Sequence, residues 1–301
     1  MIWRWLAALV LGVAAEAAPT GTLLPPVMKS SAAGPMVVSV WLPPGYETSA
    51  TRYPVLYMQD GQNLFDAATD RATSWDRHVW GIDTVAAELI AAGRIPPVII
   101  VGVDHKGTER PRQYYPQGAY VRLSPSLQQD LAAQQGGPPY ADAYVRFLVS
   151  ELKPVIDVRY RTKPGRDTTF VMGSSMGGLV SLYAFAAYPA VFGGAGCLST
   201  HWLMAAPTPG APPAESLFEA FEDWLKDRLP APGKLWFDHG TAGLDAAYGP
   251  YQRRIDGLLI RRGWKTGIDF VSNTYAGADH SEDAWRARLA DPLQYLLGGA
   301  K

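Results

Sequence analysis

The chain has 301 residues, of which 48% are hydrophobic and 18% are charged, and its formal net charge at pH 7 is −1. This composition is typical of a globular protein with room for one large core. Since the charge is balanced and no block of Lys and Arg stands out, the sequence does not indicate nucleic-acid binding.

The first residues, MIWRWLAALVLGVAAEAAPTG, are typical of a secretory signal peptide. Arg4 gives a positive start, Leu6 to Ala15 form an apolar run, and Ala15-Glu16-Ala17 fits a small-x-small cleavage site. The run is shorter than the ~20 residues of a membrane-spanning helix, and no later stretch is long enough to span a membrane. We therefore expect residues 1–17 to be cleaved and the protein to be periplasmic or secreted, without stable membrane insertion.

Strand-like and helical runs alternate along the rest of the chain. β-branched and apolar runs bounded by Pro, Gly or Asp predict strands at 36–43, 53–60, 96–104, 168–172, 194–199, 234–240 and 269–275. Apolar residues at helical spacing predict helices at 83–93, 140–157, 176–188, 214–229, 246–262 and 282–297. This alternation predicts an α/β fold with a mostly parallel central sheet and helices on both faces. We expect residues 18–301 to form a single domain with a small loop and helix insertion around 203–229.

Residue types for redox or metal chemistry are sparse. The chain has one cysteine, Cys197, which excludes an internal disulfide. Its neighbours in FGGAGCLST are small and apolar, and this favours a buried structural thiol over a nucleophile. Metal-ligand spacings such as H-E-x-x-H do not occur in the sequence, so we expect neither a metal nor a cofactor.

The segment TTFVMGSSMGGLV (168–180) passes from a predicted strand directly into a predicted helix. Its GSSMG (173–177) fits the pattern G-x-S-x-G, in which the two glycines relieve the crowding of a sharp turn around the central serine. The hydroxyl of that serine is then exposed at the C-terminal edge of the sheet, near a helix N-terminus that favours negative charge. A dinucleotide loop would need glycine where Ser175 stands, and a phosphate loop would need Gly-Lys-Ser/Thr at its end. The pattern predicts Ser175 as a nucleophile, with Ser174 pointing elsewhere.

A serine nucleophile needs a histidine base and a carboxylate that orients the base. On a turn of this type they follow in the chain order serine, acid, histidine. His280 lies between the last strand and the last helix, downstream of all the acid candidates, and is predicted as the base. Asp245, in the loop after strand 234–240, is favoured as the acid, with Asp238 as the alternative. The other histidines come too early in the chain or lie at a strand end: His78, His105, His201 and His239.

The tetrahedral intermediate of such a reaction needs two backbone N–H donors. Met176, directly after the nucleophile, is expected to supply one, and the loop 59–66 is expected to supply the other through Gly61 or Gln62. His201 is a candidate for the pocket wall. Three tryptophans on flanking segments are candidates either for stacking on an aryl or sugar group or for the core: Trp75, Trp80 and Trp202.

Several of these segments together resemble the putative-esterase family of α/β-hydrolases, which includes feruloyl, acetyl-xylan and enterochelin-type esterases, S-formylglutathione hydrolases and mycolyltransferases. The resemblance is carried, in chain order, by YPVLYMQDGQNLFD, GTERPRQYYP, GSSMGGLVSLYAFAAYPAVFG, GLDAAYGPYQ and ADHSEDAWRARLADPLQYLLG. It implies the α/β-hydrolase fold, a triad of Ser175, His280 and Asp245, and an oxyanion donor at Gln62. Arg110 matches a recurring arginine, which is either part of a structural ion pair or a substrate contact. The chain departs from the family pattern at His105, where Asn is frequent, and at Gln113, where Glu is frequent, and both departures affect the substrate pocket.

The sequence therefore predicts a secreted serine ester hydrolase. Its expected substrate is a small-molecule or glycan ester of a carbohydrate, aryl or siderophore compound. Three alternatives stay open: an acyltransferase that delivers the acyl group to a sugar, an exported peptidase, and a non-catalytic binding protein on the same fold. The sequence carries no signal for the oligomeric state.

Overall fold

A computed structural model describes residues 20–31, 33–66, 72–74, 77–206 and 211–298. The predicted signal peptide 1–17 and Trp75 lie outside these residues. The described residues contain nine strands that form one sheet. They are β1 (Thr22–Leu23), β2 (Val27–Lys29), β3 (Met36–Leu42), β4 (Val55–Gln59), β5 (Ile99–Val103), β6 (Thr169–Ser174), β7 (Gly194–Leu198), β8 (Lys234–Gly240) and β9 (Phe270–Tyr275).

The sheet is mostly parallel, as the alternating sequence pattern predicts. Its strand order is β1-β3-β5-β4-β6-β7-β8-β9, and β2 also pairs with β3. The strands from β5 to β9 in this order run parallel, whereas β3 is antiparallel to β5, β1 and β2. The carboxyl ends of the parallel strands therefore meet at one edge, where α/β sheets place their ligand sites.

Helices cover both faces of the sheet. Successive strand residues point to opposite faces, so the apolar strands present a hydrophobic surface on each side. Val55 and Tyr57 of β4 lie in one hydrophobic core, and Leu56 and Met58 lie in the other. The second core is closed by α1 (Ile82–Ala91), α10 (Glu282–Arg288) and α11 (Ala290–Leu297). The first core is closed by α2 (Arg110–Tyr114), α3 (Gln117–Tyr120), α4 (Pro125–Gln135), α5 (Ala141–Arg146), α6 (Lys153–Arg159), α7 (Met176–Ala187), α8 (Ala214–Arg228) and α9 (Gly249–Arg261).

Three helical regions differ from the predicted ones. The predicted helix 140–157 consists of α5, a six-residue π-helical turn Phe147–Leu152, and α6. Pro154 lies in the first turn of α6, where it has no N–H to donate to the preceding turn. The predicted helix 282–297 is divided into α10 and α11 at Leu289. The short helices α2, α3 and α4 carry no clear apolar period and are not predicted.

The region that we expect to be an insertion contributes to the core. The apolar stripe of α8 is buried in the same core as α7, through Leu217, Phe218, Phe221, Trp224 and Leu225. Cys197 lies in β7 with no exposed surface, which confirms a buried thiol, and burial raises its pKa. Within the described ranges, no helix is both long enough and apolar enough to cross a membrane.

Candidate active site

Ser175 occupies the sharp turn between β6 and α7. Its backbone has φ 57° and ψ −128°, a conformation that non-glycine residues rarely adopt. A Cβ atom on Gly173 would lie 2.7 Å from the backbone carbon of Gly177, and one on Gly177 would lie 2.9 Å from Oδ2 of Asp60. Both contacts are too short for any side chain, so this turn requires both glycines of the pattern.

The strained turn is held by backbone hydrogen bonds to neighbouring segments. The N–H of Ser175 donates to the carbonyl of Leu198 at the end of β7 (2.9 Å). The carbonyl of Ser175 accepts from the N–H groups of Leu179 and His201 (both 3.1 Å). These bonds fix the serine at the carboxyl edge of the sheet, where its side chain lines two cavities.

His280 and Asp245 are in direct contact, although they are 35 residues apart in the chain. Nδ1 of His280 is 2.6 Å from Oδ1 of Asp245. An ionised carboxylate only accepts hydrogen bonds, so Nδ1 carries the proton and Nε2 is left as an acceptor. His280 and Ser175 line the same cavity. The structure thus brings together the three side chains that the sequence predicts as nucleophile, base and acid.

Asp245 is fully buried in the turn Gly243–Ala247 that follows β8. Its Oδ2 accepts from Oγ of Ser199 (2.5 Å) and from the N–H of Gly240 (2.7 Å). Burial alone would raise the pKa of Asp245, but the hydrogen bonds from His280 and Ser199 outweigh it and lower that pKa. The carboxylate is therefore charged at neutral pH.

Two aromatic rings hold the imidazole of His280 between them. The centroid of Tyr248 is 5.8 Å from that of His280, and the centroid of Trp285 is 5.1 Å from it. Both rings stand nearly perpendicular to the imidazole, at 72° and 82°. Edge-to-face packing of this kind fixes the ring plane.

Asp238, the alternative acid, has other partners. Its Oδ2 accepts from Nε1 of Trp236 (2.7 Å), and its Oδ1 accepts from Nε of Arg288 (3.0 Å) and from the N–H of Ser199 (3.3 Å). Asp238 therefore forms a buried ion pair with Arg288 and leaves Asp245 as the carboxylate in contact with His280.

The two candidate oxyanion donors lie in the first turn of α7 and in the turn after β4. Met176 is the first residue of α7, so its N–H has no partner within the helix. Gln62 lies in the turn Gly61–Asn63 after β4. Its side chain donates to Thr73 (3.1 Å) and accepts from the N–H of His105 (3.2 Å). Because this side chain braces two loops, an oxyanion role at Gln62 falls to its backbone N–H.

Arg110 forms the ion pair that was one of its two predicted roles. Its Nε and Nη2 donate to the two carboxylate oxygens of Asp60 at 2.7 and 2.8 Å. Asp60 has φ 57° and lies against Gly177 of the serine turn. The Arg110 side chain is 25% exposed and borders both cavities, so it contributes charge to the site as well as holding the loop.

The two cavities that meet at Ser175 differ in chemistry. One has a volume of about 350 Å³, and its wall includes Met176, Met204, Ala205 and Leu244; we call it the apolar cavity. The other has a volume of about 240 Å³ and contains His280, and we call it the polar cavity. The polar cavity is also lined by Asp60, Asn63, Thr73, Ser74, His105 and Glu282.

His201 lies in the wall of the apolar cavity, as predicted. Its Nε2 is 3.1 Å from the carbonyl of Ala205, which can only accept, so Nε2 carries the proton and Nδ1 accepts from the Tyr248 hydroxyl (2.8 Å). Burial, reinforced by the nearby His280, lowers the pKa of His201 to about 4. The imidazole is therefore neutral in the physiological range.

Trp202 does not reach either cavity, and the prediction that it contacts substrate is wrong. Its side chain is fully buried, packs against Phe218, Phe221 and Phe237, and donates from Nε1 to Gln252 (3.0 Å). The backbone turns between His201 and Trp202, so adjacent side chains enter different environments. The tryptophans that line the polar cavity are Trp80 and Trp285.

Three residues that support the site were not predicted. Ser199 directly follows β7, and its hydroxyl contacts Asp245, Trp285 and Arg288. The signal for Ser199 was its place at the end of a parallel strand next to the serine turn. Trp285 and Arg288 are three residues apart on α10 and so lie on one helix face. Their contacts span nearly 90 residues of chain, which no local pattern reveals.

The chain belongs to an esterase family. Residues 30–296 match the model of the family described as "Putative esterase". The curated relatives include the uncharacterized protein YbbA of Bacillus subtilis, 26% identical over 56% of this chain and 59% of YbbA. The Endo-1,4-beta-xylanase/feruloyl esterase of Xylanibacter ruminicola is 30% identical over 54% of this chain and 19% of that protein. Ferri-bacillibactin esterase BesA of Bacillus subtilis is 27% identical over 50% of this chain and 49% of BesA. The matches thus span about half of YbbA and BesA and a smaller part of the xylanase.

Solved structures share the fold over nearly the whole chain. A ferulic acid esterase superposes with a TM-score of 0.64 at 18% identity, covering 92% of this chain and 98% of the other. An IroE-like serine hydrolase from Shewanella oneidensis has a TM-score of 0.64 at 21% identity, over 92% and 80% of the two chains. The ferulic acid esterase of Anaeromyces mucronatus has a TM-score of 0.61 at 23% identity, over 94% and 91%. The chain therefore has the α/β-hydrolase-like fold of these esterases.

Proposed function

We propose that the protein hydrolyses carboxylic esters by a serine mechanism. Ser175 is the nucleophile, His280 is the base and Asp245 is the acid that orients it. The observation that carries the proposal is the contact of His280 with the buried Asp245, in a cavity that also exposes the strained Ser175. Membership of the esterase family supports the same reaction class.

The reaction proceeds in two halves. His280 Nε2 takes the proton of the Ser175 hydroxyl as its Oγ attacks the ester carbonyl. The N–H of Met176 and the backbone N–H of Gln62 stabilise the oxyanion. His280 then donates the proton to the leaving alcohol oxygen, and an acyl-enzyme remains. Water, deprotonated by His280, attacks the acyl carbon and releases the acid and the free serine.

The two cavities divide the ester between them. The leaving oxygen must meet Nε2 of His280, and His280 lines the polar cavity, so the alcohol part occupies that cavity. The acyl part then extends into the apolar cavity, whose 350 Å³ accommodates an aryl or medium-length alkyl group. We propose an ester of an apolar acid with a polar, hydroxyl-rich alcohol, in keeping with relatives named as a feruloyl esterase and a ferri-bacillibactin esterase.

We further propose that the protein acts outside the cytoplasm, on the basis of the signal-peptide pattern in residues 1–17. Fractionation of cells that express the full chain, with mass spectrometry of its N-terminus, tests this. The expected product starts at Ala18 and occurs outside the cytoplasmic fraction. An intact N-terminus in the cytoplasm would contradict export and leave the hydrolase proposal standing.

The catalytic proposal is tested with 4-nitrophenyl esters, from acetate to decanoate together with ferulate. Ser175→Ala is expected to lose about 10³-fold or more in kcat/KM, because the attacking group is removed. Ser174→Ala is the matched control, since this serine ends β6 and, contrary to the prediction that it points elsewhere, also lines the polar cavity. Turnover that survives Ser175→Ala, or an equal loss in both variants, would refute Ser175 as the nucleophile. Thermal unfolding of each variant checks that the fold is retained.

A further inference from the structure

A buried ion pair lies behind Asp245, on the side away from His280. Nε of Arg288 donates to Oδ1 of Asp238 at 3.0 Å. The two side chains are only 3% and 0% exposed. Nη2 of Arg288 is also 3.8 Å from Oδ2 of Asp245. One cation is thus shared by two carboxylates in a part of the protein where water does not screen them.

Ser199 links this ion pair to Asp245. Its hydroxyl accepts from Nη2 of Arg288 (2.7 Å) and from Nε1 of Trp285 (3.0 Å). A hydroxyl has one proton to donate, and with both lone pairs occupied that proton is directed to Oδ2 of Asp245 (2.5 Å). The other oxygen of Asp245 holds Nδ1 of His280. A continuous chain of hydrogen bonds therefore runs from Arg288 to His280.

We propose that Asp238 and Arg288 are positioning residues that align Asp245 with His280 through Ser199 and balance the charge that acts on His280. This proposal rests on the proposed function, because it concerns the base of that reaction. The Arg288 cation disfavours a second positive charge on His280, and the Asp238 carboxylate offsets that effect when it is ionised. Burial raises the pKa of Asp238, and the charge of Arg288 opposes that rise. The pair as a whole is close to neutral, so it aligns Asp245 without placing a net charge behind His280.

Other charged or titratable groups also act on His280, and they remain unchanged in the test. They are Asp245 and Tyr248 after β8, His201 after β7, Asp60 after β4, His105 and Arg110 after β5, and Glu282 on α10. Asp238 and Arg288 differ from most of these groups because they are buried outside the substrate cavities. Changing them alters the field at Asp245 without removing a side chain that contacts substrate.

The test compares Arg288→Met, Asp238→Asn and the double variant. The pH dependence of kcat/KM for 4-nitrophenyl acetate gives the pKa of the free enzyme's base from its acid limb. Arg288→Met removes a cation, so protonated His280 is favoured and the limb is expected to move up by about one pH unit. Asp238→Asn leaves the cation unopposed, so the limb is expected to move down by a similar amount. In the double variant both charges are gone, and the limb is expected to return close to its wild-type position.

Opposite shifts that cancel in the double variant distinguish this role from simple support of the fold. Shifts of the same sign, or a loss of activity at all pH values with no shift, would overturn the proposal. Arg288→Lys, which keeps the charge, is the control and is expected to leave the limb in place. If Arg288→Met fails to fold, the downward shift of the nearly isosteric Asp238→Asn still decides the question.

A second readout separates this proposal from the proposed function. Proton NMR of the Nδ1–H of His280 follows its titration without turnover. If Ser175→Ala keeps full activity, the proposed function fails, while the NMR pKa still reports whether the two charges act on His280. If Ser175→Ala is inactive but neither single variant moves that pKa, only the present proposal fails.

Discussion

The two cavities on either side of Ser175 are built in different ways. The apolar cavity is formed by segments from the C-terminal ends of β7 and β8 and by residues of α2 and α4. The polar cavity is formed by the loops after β4 and β5 and by the start of α10. The catalytic histidine of the proposed mechanism opens only to the polar one. The contrast matches the proposed substrate, an ester whose acyl and alcohol parts have opposite chemistry.

Charge sharpens the contrast. The polar cavity contains the carboxylates of Asp60 and Glu282, and the Arg110 cation is already paired with Asp60. The apolar cavity contains His201, which burial and the nearby His280 keep neutral. Both carboxylates face the proposed alcohol, whereas the wall around the proposed acyl group is mostly apolar and has Arg110 at its border with the polar cavity. Each of the following predictions concerns a change that alters one of the two cavities.

Protonation of His201 is expected to have the largest effect on the difference between the two cavities, because it places a cation in the wall of the apolar cavity. The pKa of His201 is about 4 in the folded protein and about 6.5 in the unfolded chain. The unfolded chain therefore binds the proton more readily, and the free energy of unfolding falls as the pH drops from 6.5 to 4. The contribution is about 3 kcal/mol, fully present above pH 6.5 and lost below pH 4.

Chemical unfolding of wild type and His201→Asn across this pH range measures that contribution. The stability of the variant is expected to depend less steeply on pH between 6.5 and 4. Parallel curves for wild type and His201→Asn would show that His201 does not resist protonation.

A bulky residue in the apolar cavity is expected to exclude long or aryl acyl groups. Ala205 lies in this wall and is 8% exposed. Ala205→Trp should lower kcat/KM for decanoate and ferulate esters by about 100-fold and leave acetate within about threefold, since lost contacts of this size cost a few kcal/mol. Ser74→Trp places the same bulk in the polar cavity. It is expected to change kcat/KM among esters that differ in the alcohol, and not among esters that differ in the acyl group. The same acyl selectivity in both variants would contradict the division of the ester.

Removing the Glu282 charge is expected to change the preference for the alcohol. Glu282 is 7% exposed, lines the polar cavity and accepts from Nδ2 of Asn63 (3.3 Å), a bond that Gln can preserve. For esters with one acyl group, Glu282→Gln should raise kcat/KM for an anionic alcohol relative to a neutral polyol by about tenfold, or roughly 1.4 kcal/mol. Arg110→Gln is expected to move this ratio in the opposite direction. An unchanged ratio in Glu282→Gln would show that the charge of Glu282 does not determine the preference for the alcohol.

The sequence predicts the parts of this molecule that local physics determines. The central parallel strands, α7 and the serine turn follow from β-branched runs, an apolar helix and two glycines that the turn needs. The contact of Asp245 with His280 follows from chain order and the common sheet edge. The division into two cavities does not, because it depends on contacts between distant segments, such as Arg110 with Asp60 and Ser199 with Arg288. Trp202 could not be placed from the sequence for the same reason. The adjacent His201 lines a cavity, and only tertiary packing decides which of these two side chains enters the core.

The smallest expected effect concerns Gln135, which lies within the apolar cavity. Its side chain lines that cavity, and its buried Oε1 has no hydrogen-bond partner among the residues that the structure describes. A buried acceptor of this kind favours an acyl group that can donate a hydrogen bond, because leaving the acceptor unpaired costs free energy. Gln135→Leu is expected to lower the preference for a ferulate ester over its O-methylated analogue by about threefold to tenfold.

The O-methylated ester is the matched substrate, since it keeps the ring and loses only the donor. Gln134→Leu is the matched variant: the neighbouring side chain also borders the cavity, but its Nε2 donates to the carbonyl of Ala206 (3.3 Å). It is expected to leave the preference unchanged. If Gln135→Leu lowers both esters equally, the residue only shapes the wall, and the apolar cavity selects by size alone. If Gln135→Leu lowers kcat/KM for the ferulate ester alone, the apolar cavity recognises the ring hydroxyl of the acyl group through Gln135. The apolar cavity then selects by hydrogen bonding as well as by size.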